Sequence, residues 1–325
     1  MSGNLVSQAQ HPSSKILMMG LRRCGKSSII QTMFHGMQPL DTLYLESTTE
    51  ITTTIFNAFI DFSLIEVPGQ VSSDGQLHEL FSQCGSLIYV IDSQDDYFNS
   101  LSNLHSLILE AVNANPIINV EVFIHKDDGL SEDFRLDAQR EITQRVADDL
   151  LDDGLLNVSL SFHLSSIFDH SIYEAFSRVV QKLIPQLPTM ENLLNMLCHH
   201  SGIEKAFLFD IQSKIFVATD SSPIDIPTYE ICTDFIDVTV AMNYLYTIDR
   251  RDTPANSSNI IDTTRTKSMG STVRLSNSLI LYLQQMVKGL ALVCLMRKES
   301  MPKFALVEYN IEFFRDALEQ LWNVG

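Results

Sequence analysis

The sequence predicts an α/β protein in two parts, a doubly wound and mostly parallel sheet followed by an α+β domain. Three observations support this. Short apolar runs alternate with helical patterns from Lys15 to Ile184, the rhythm of strands joined by helical crossovers. The stretch GLRRCGKS, Gly20 to Ser27, lies between the first such run and the first helix. After the proline-flanked PQLP, residues 185–188, the order becomes α-β-β-α-β-β-β-α, which suits an antiparallel sheet with helices. The division is a polar tail at 1–14, a first domain at 15–186 and a second at 187–325.

Each element has its own signal. Lys15–Gly20 is a short apolar run and Lys26–His35 a helix. Ile51–Asn57 and Asp61–Val67 form a β pair with a tight link. Leu87–Ile91 and Val120–Ile124 are unbroken apolar runs, as strands buried on both faces must be. Helical patterns fill Phe98–Ala114 and Ser131–Leu151, Val158–Leu164 is a sixth strand, and Ile172–Ile184 is an amphipathic helix. Pro185 and Pro188 disfavour helix in the residues before them, so PQLP is expected to be a linker. Thr189 is then the expected cap of a helix at Met190–His200. Strands Ala206–Ile211 and Lys214–Thr219 and a helix at Thr228–Tyr246 follow. The polar stretch 250–271 is expected to be mobile. Strands near Val273–Leu275, Leu279–Gln284 and Leu290–Met296 precede a last helix, Lys303–Trp322.

Composition narrows the function. The chain has 325 residues, 45% of them hydrophobic, enough to bury two cores. A net charge of −18 argues against nucleic acid or an anionic membrane as the default partner. Cys24, Cys84, Cys198, Cys232 and Cys294 are dispersed and odd in number, which suits a reducing compartment. The polar start lacks a signal-peptide core, and neither end carries a lipidation motif. Gln284, Gln285, Lys288 and Gly289 interrupt the most apolar late stretch, 279–296. Direct membrane insertion is therefore not expected.

The site chemistry begins at GLRRCGKS, which matches G-x-x-x-x-G-K-[ST] in its strand-to-helix context. Gly20 and Gly25 allow backbone angles that aim N–H groups at phosphate oxygens. Lys26 sets a positive charge beside the β and γ phosphates, Ser27 offers a hydroxyl to Mg²⁺, and Ser28 is a further nucleotide-binding candidate. Arg22 and Arg23 either lean over a bound nucleotide, face a partner, or are solvated loop charges. Cys24 is counted with the loop's nucleotide-binding positions, as a small residue that the loop tolerates rather than a reactive thiol.

FIHKDDG, residues 123–129, ends a strand about 100 residues further on. Asp128 there can accept from the N1–H and exocyclic amine of guanine, a pattern adenine does not offer. The Lys126 stem would cover the base, and His125 would hold the loops together. Taken alone, Asp127 and Asp128 could instead cap the next helix. Ser166 and Ile167, in LSSIFD, are placed to offer backbone N–H groups to the guanine O6, although a simple helix cap is an equal reading. In LYLESTTE, residues 43–50, Thr48 is the candidate for Mg²⁺ and the γ-phosphate, with Thr42 a weaker contact. In IEVPGQ, residues 65–70, Glu66 is the third metal candidate, Gly69 a nucleotide contact, and Gln70 the residue placed to orient a water.

Together GLRRCGKSSI, LYLEST, VPGQ, FIHKDDGLS, SIFDHSIYEAFSRVVQKLIPQLPTMENLL and FLFDIQSKIFVATDSSP resemble the Rag/Gtr family of small GTPases, Rag C/D branch, over nearly the whole chain. The resemblance implies a Ras-like P-loop G domain followed by a roadblock/longin-like domain. It implies GTP/GDP and Mg²⁺ as ligands, and a heterodimer with a Rag A/B-type GTPase subunit through the C-terminal domain. It further implies a scaffold complex on the cytoplasmic face of the lysosome or vacuole, with some protein in the cytoplasm and nucleus. Activating and exchange factors are implied, as is relay of amino-acid sufficiency to the target-of-rapamycin kinase complex, with the GDP-bound form active. Family members usually carry Asp where this chain has Glu66. A longer carboxylate arm alters the reach to Mg²⁺, an ion with strict octahedral demands. Two functions follow: a slow GTP-hydrolysing switch, or a nucleotide-stabilised scaffold with negligible hydrolysis. An ATPase fits the P-loop alone, but Asp128 argues against it.

Overall fold

The computed structural model describes residues 15–57, 61–70, 76–155, 157–248, 269–299 and 304–324. They fall into two compact units that divide between Leu183 and Ile184. The first runs β1 (Lys15–Met19), α1 (Lys26–His35), a 3₁₀ turn (Pro39–Tyr44), β2 (Thr52–Asn57), β3 (Asp61–Glu66), α2 (Gln76–Gln83) and β4 (Ser86–Asp92). It continues with α3 (Phe98–Ala114), β5 (Asn119–His125), α4 (Glu132–Asp152), β6 (Ser159–Ser165) and α5 (Ser171–Lys182).

Its six strands lie in the order β2-β3-β1-β4-β5-β6. The edge pair β2–β3 is antiparallel and every other pairing is parallel. Because side chains alternate along a strand, β1 sends Leu17 and Met19 to a core shared with Leu101, Leu104 and Ile142 of α3 and α4. On the other side, Phe176 of α5 meets Phe34 and Phe123 edge-on at 5.4 and 6.0 Å. Both faces are covered, which is why the strands read as unbroken apolar runs. A charged group lies within this core. Glu121 of β5 is fully buried, and its carboxylate accepts from Lys182 at 2.6 Å and pairs with His163 at 2.9 Å.

The second unit contains α6 (Leu187–Ser201), β7 (Ile203–Asp210), β8 (Phe216–Thr219), α7 (Ile226–Ile248), β9 (Gly270–Arg274), β10 (Leu279–Gln285), β11 (Leu290–Arg297) and α8 (Phe304–Val324). Its sheet, β8-β7-β11-β10-β9, is antiparallel throughout. Most of the stretch 250–271 lies outside the described residues, and its last residues begin β9.

Two expectations need correction. Thr189 does not cap α6, because the helix begins at Leu187 with Pro188 in its first turn. Proline is harmless there, since first-turn N–H groups have no intrahelical acceptor to lose. Lys214 does not begin β8. It adopts a left-handed conformation, φ 60°, in a turn where the Asp210 carboxylate accepts from Ser213 N–H and Oγ at 2.9 and 2.7 Å. That turn delays the strand to Phe216.

Candidate functional site

Parallel strands place the C-terminal ends of β1, β3, β4, β5 and β6 along one edge of the first sheet. Ligands of doubly wound folds bind at such an edge. A cleft opens there, walled by the loops that follow β1, β3, β4, β5 and β6 and by the segment between α1 and β2.

The loop after β1 depends on its glycines. Gly20 has φ 142°, and an added Cβ would stand 2.4 Å from Val90 O. Gly25 has φ 105°, and its Cβ would meet the His125 ring at 2.6 Å. Neither position admits another residue without displacing backbone or a buried ring. Lys26 is buried, and its ammonium donates to Gly20 O at 2.9 Å and Leu21 O at 3.0 Å. Ser27, Ser28, Arg22 and Arg23 line the cleft beside it. Arg22 reaches across to Ser47 Oγ at 3.2 Å, whereas Arg23 contributes its carbonyl to Lys126 Nζ at 2.9 Å. Cys24, expected among the nucleotide-binding positions, is instead buried off the cleft wall. Its thiol is buried against Gly20, and burial raises its pKa, so it is no activated nucleophile.

Three oxygen donors meet next to this loop. Ser27 Oγ donates to Glu66 Oε1 at 2.5 Å, Thr48 Oγ1 donates to the same oxygen at 3.2 Å, and the two hydroxyls are 2.8 Å apart. Two hydroxyls and one carboxylate, all hard ligands on a cleft wall, suit Mg²⁺, which takes few protein ligands and completes its shell with phosphate and water. Thr42 also lines the cleft, but its hydroxyl donates to Pro39 O at 2.8 Å within the 3₁₀ turn. Pro68 and Gly69 follow on the wall. A Cβ on Gly69 would lie 2.4 Å from Arg22 N, so glycine lets this loop press onto the first one. Gln70 is exposed and does not line the cleft, and residues 71–75 lie outside the described set.

At the other end, Lys126 turns out of β5 in a left-handed conformation, φ 62°. Its ammonium pairs with Asp92 Oδ2 at 2.5 Å, and its carbonyl accepts from Gln94 Nε2 at 2.7 Å. Asp128 lines the cleft, and its Oδ1 accepts from the buried Ser166 hydroxyl at 2.7 Å. The Ser166 N–H is spent on Ser171 Oγ at 2.8 Å. Of the two residues expected to offer N–H groups to a base, Ile167 lines the cleft and Ser166 has its N–H engaged elsewhere. Ser166 acts instead through Asp128. The acid pair does not cap α4, whose N-cap is Ser131. Asp127 is buried, its Oδ1 finds no hydrogen-bond partner among the described residues, and burial raises its pKa against the pull of Arg135.

His125 is almost fully buried between Gly25 and Ser165, with Nδ1 3.1 Å from Ser165 Oγ. Burial first, and Lys126 second, bring its pKa down to about 4. The ring is therefore neutral at pH 7. In the unfolded chain it protonates near 6.5, so the stability it contributes is full above that pH and is lost as pH falls toward 4. His125→Asn removes this dependence. Chemical denaturation at pH 7.5 and pH 5 is expected to show the parent's lead over the variant shrinking by about 2 kcal/mol.

Gln94, Asp92, Phe168 and Ser47 were not anticipated from motifs. Asp92 ends β4, the strand beside β5, and Gln94 lies two residues beyond it, so a search around strand ends would have found them. Phe168 directly follows the expected pair.

This cleft and sheet define a Ras-like P-loop G domain carried with an antiparallel-sheet domain. The family model described as the Gtr1/RagA G protein conserved region matches residues 15–236. The chain is 51% identical to GTP-binding protein gtr2 of Schizosaccharomyces pombe, over 95% of this chain and 98% of that one. It is 48% identical to Ras-related GTP-binding protein C of Homo sapiens, over 98% of this chain and 79% of that one. Identity to GTP-binding protein gtr1 of Schizosaccharomyces pombe is 28%, over 64% and 68%. The chain belongs to the Rag/Gtr family of GTPases, in the Rag C/D branch.

Proposed function

We propose that the cleft binds GTP and GDP with Mg²⁺ and acts as a slow hydrolytic switch. The observation that supports this best is the meeting of Ser27, Thr48 and Glu66 oxygens beside Lys26, with Asp128 poised at the far end. Lys26 and the loop N–H groups hold the β and γ phosphates and stabilise charge that develops there. Asp128 reads the guanine edge. Ser27, Thr48 and Glu66 would hold Mg²⁺, which supplies positive charge against the phosphates. Thr48 lies in the segment between α1 and β2, and Glu66 is the last residue of β3, just before the loop that carries Gly69, so their grip makes the site sensitive to the third phosphate. Gln70 orients the attacking water once its loop closes on the ligand. Arg22 is engaged with Ser47, and turnover unaided by an activating factor is slow.

The second unit is read as a roadblock/longin-like module that pairs with a Rag A/B-type subunit. Two features support this. β9 is the outermost strand of its sheet among the described residues. On α7, Ile231, Val238, Met242 and Leu245 are 42%, 56%, 49% and 63% exposed, and their 7-4-3 spacing puts them on one stripe. The likeness to gtr1 fits a partner of similar build. On this reading the heterodimer is held by a scaffold complex on the cytoplasmic face of the lysosome or vacuole. There it answers to activating and exchange factors and relays amino-acid sufficiency to the target-of-rapamycin kinase complex when GDP-bound. No helix among the described residues is long and apolar enough to cross a membrane.

The exposed Gln70 favours a second reading, a nucleotide-stabilised scaffold that does not hydrolyse. The test is co-expression with a Gtr1-type subunit, followed by native mass and nucleotide extraction. A one-to-one dimer holding guanine nucleotide and Mg²⁺ is expected. A monomer, or bound adenine nucleotide, contradicts the proposal.

A further inference from the structure

Phe168 is a large aromatic side chain left 53% exposed on the cleft wall. Its backbone is fixed. The Phe168 N–H donates to Ser166 Oγ at 3.0 Å, the same hydroxyl that donates to Asp128 Oδ1 at 2.7 Å. Ser166 N–H donates in turn to Ser171 Oγ at 2.8 Å, and Ser171 N–H to Asp169 Oδ1 at 2.9 Å. One buried hydroxyl thus positions both an aromatic residue and a guanine-reading carboxylate. Lys126 lines the same cleft, and its ammonium is tied to Asp92 and Arg23 O, which immobilises its stem. A rigid cleft with an aromatic ring, an aliphatic stem and a carboxylate suits a planar purine base.

Resting on the guanine-nucleotide reading above, we infer that Phe168 is a base-stacking residue whose ring covers one face of the bound guanine. Stacking is tolerant of base identity because every base has a π face. Phe168 therefore sets residence time, while Asp128 sets the choice of base. The ring is solvated and the loop is held by backbone and serine contacts, so truncation should leave the fold intact.

The test measures dissociation of a fluorescent GDP analogue from the full chain by stopped flow. Phe168→Ala is expected to speed release about tenfold or more. The ratio of GDP to IDP affinity should stay at the parent value, since IDP lacks only the amine that Asp128 reads. Phe168→Tyr should restore slow release and Phe168→Leu should not. In a Trp322→Phe background, which removes the single native tryptophan, GDP should quench the indole of Phe168→Trp. Release from Phe168→Ala within twofold of the parent, or full retention in Phe168→Leu, overturns the inference alone. A parent chain that does not bind GDP overturns the guanine reading and this inference together.

Discussion

Asp128→Asn is expected to weaken GDP and GTP binding by about 100-fold or more and to move base preference toward xanthine. One oxygen of the Asp128 carboxylate already accepts from Ser166 at 2.7 Å. The remaining acceptor capacity can receive the two guanine donors, N1–H and the exocyclic amine. Asparagine removes the charge and replaces one acceptor by a donor, which would face the guanine amine. Losing a charge-assisted pair in a sheltered site costs roughly 3 kcal/mol or more, hence the factor of 100. Xanthine carries a carbonyl where guanine carries the amine, so the asparagine N–H finds an acceptor there. Competition of GDP, XDP and ADP against a fluorescent guanine nucleotide checks this. Unchanged preference in the variant removes Asp128 from the base site.

Lys26→Met is expected to abolish measurable retention of GTP through purification while leaving the fold intact. The Lys26 ammonium is buried and held by two carbonyls of its own loop, so its charge is preorganised rather than recruited on binding. Truncating one partner of a buried charged contact costs about 2–5 kcal/mol. Methionine keeps the length and apolar stem, which limits the damage to packing. Circular dichroism melting should match the parent within a few degrees, and extracted nucleotide should fall below a tenth of the parent content. Parent-like GTP content in this variant would place the phosphates elsewhere.

Much of this was legible in the sequence for stated reasons. β4 and β5 are buried on both faces, so each announces itself as an apolar run. Gly20, Gly25 and Lys26 obey a spacing that phosphate geometry imposes. What escaped prediction was local and short. α2 has eight residues and buries little beyond Leu77 and Phe81, so its pattern is too brief to read. The turn at Lys214 depends on an Asp210 side chain that competes with strand pairing. The start of α6 was misplaced because proline tolerance depends on where the first turn lies. At the site, Asp92 at the end of β4 and Gln94 just beyond it act by hydrogen bonds to Lys126, contacts that exist only after the sheet assembles. Ser166 differs from its expected role for the same reason, since its N–H donates to Ser171 Oγ, a contact that no motif spacing announces.

Glu66 carries the central question, whether a longer carboxylate still permits switching. Its oxygen already touches both Ser27 and Thr48 hydroxyls, so the added length does not prevent the three groups from meeting. Gln70 stands outside the cleft wall, so the proposed hydrolysis needs this side chain to swing toward the cleft. The decisive measurement is single-turnover GTP hydrolysis by this chain bound to a Gtr1-type partner whose own guanine-reading aspartate is disabled, with Mg²⁺ and with chelator. Slow conversion that needs Mg²⁺ and is lost in Gln70→Leu is the predicted result. Bound GTP that persists unchanged in Mg²⁺ would contradict hydrolytic switching and leave the cleft as a structural ligand site.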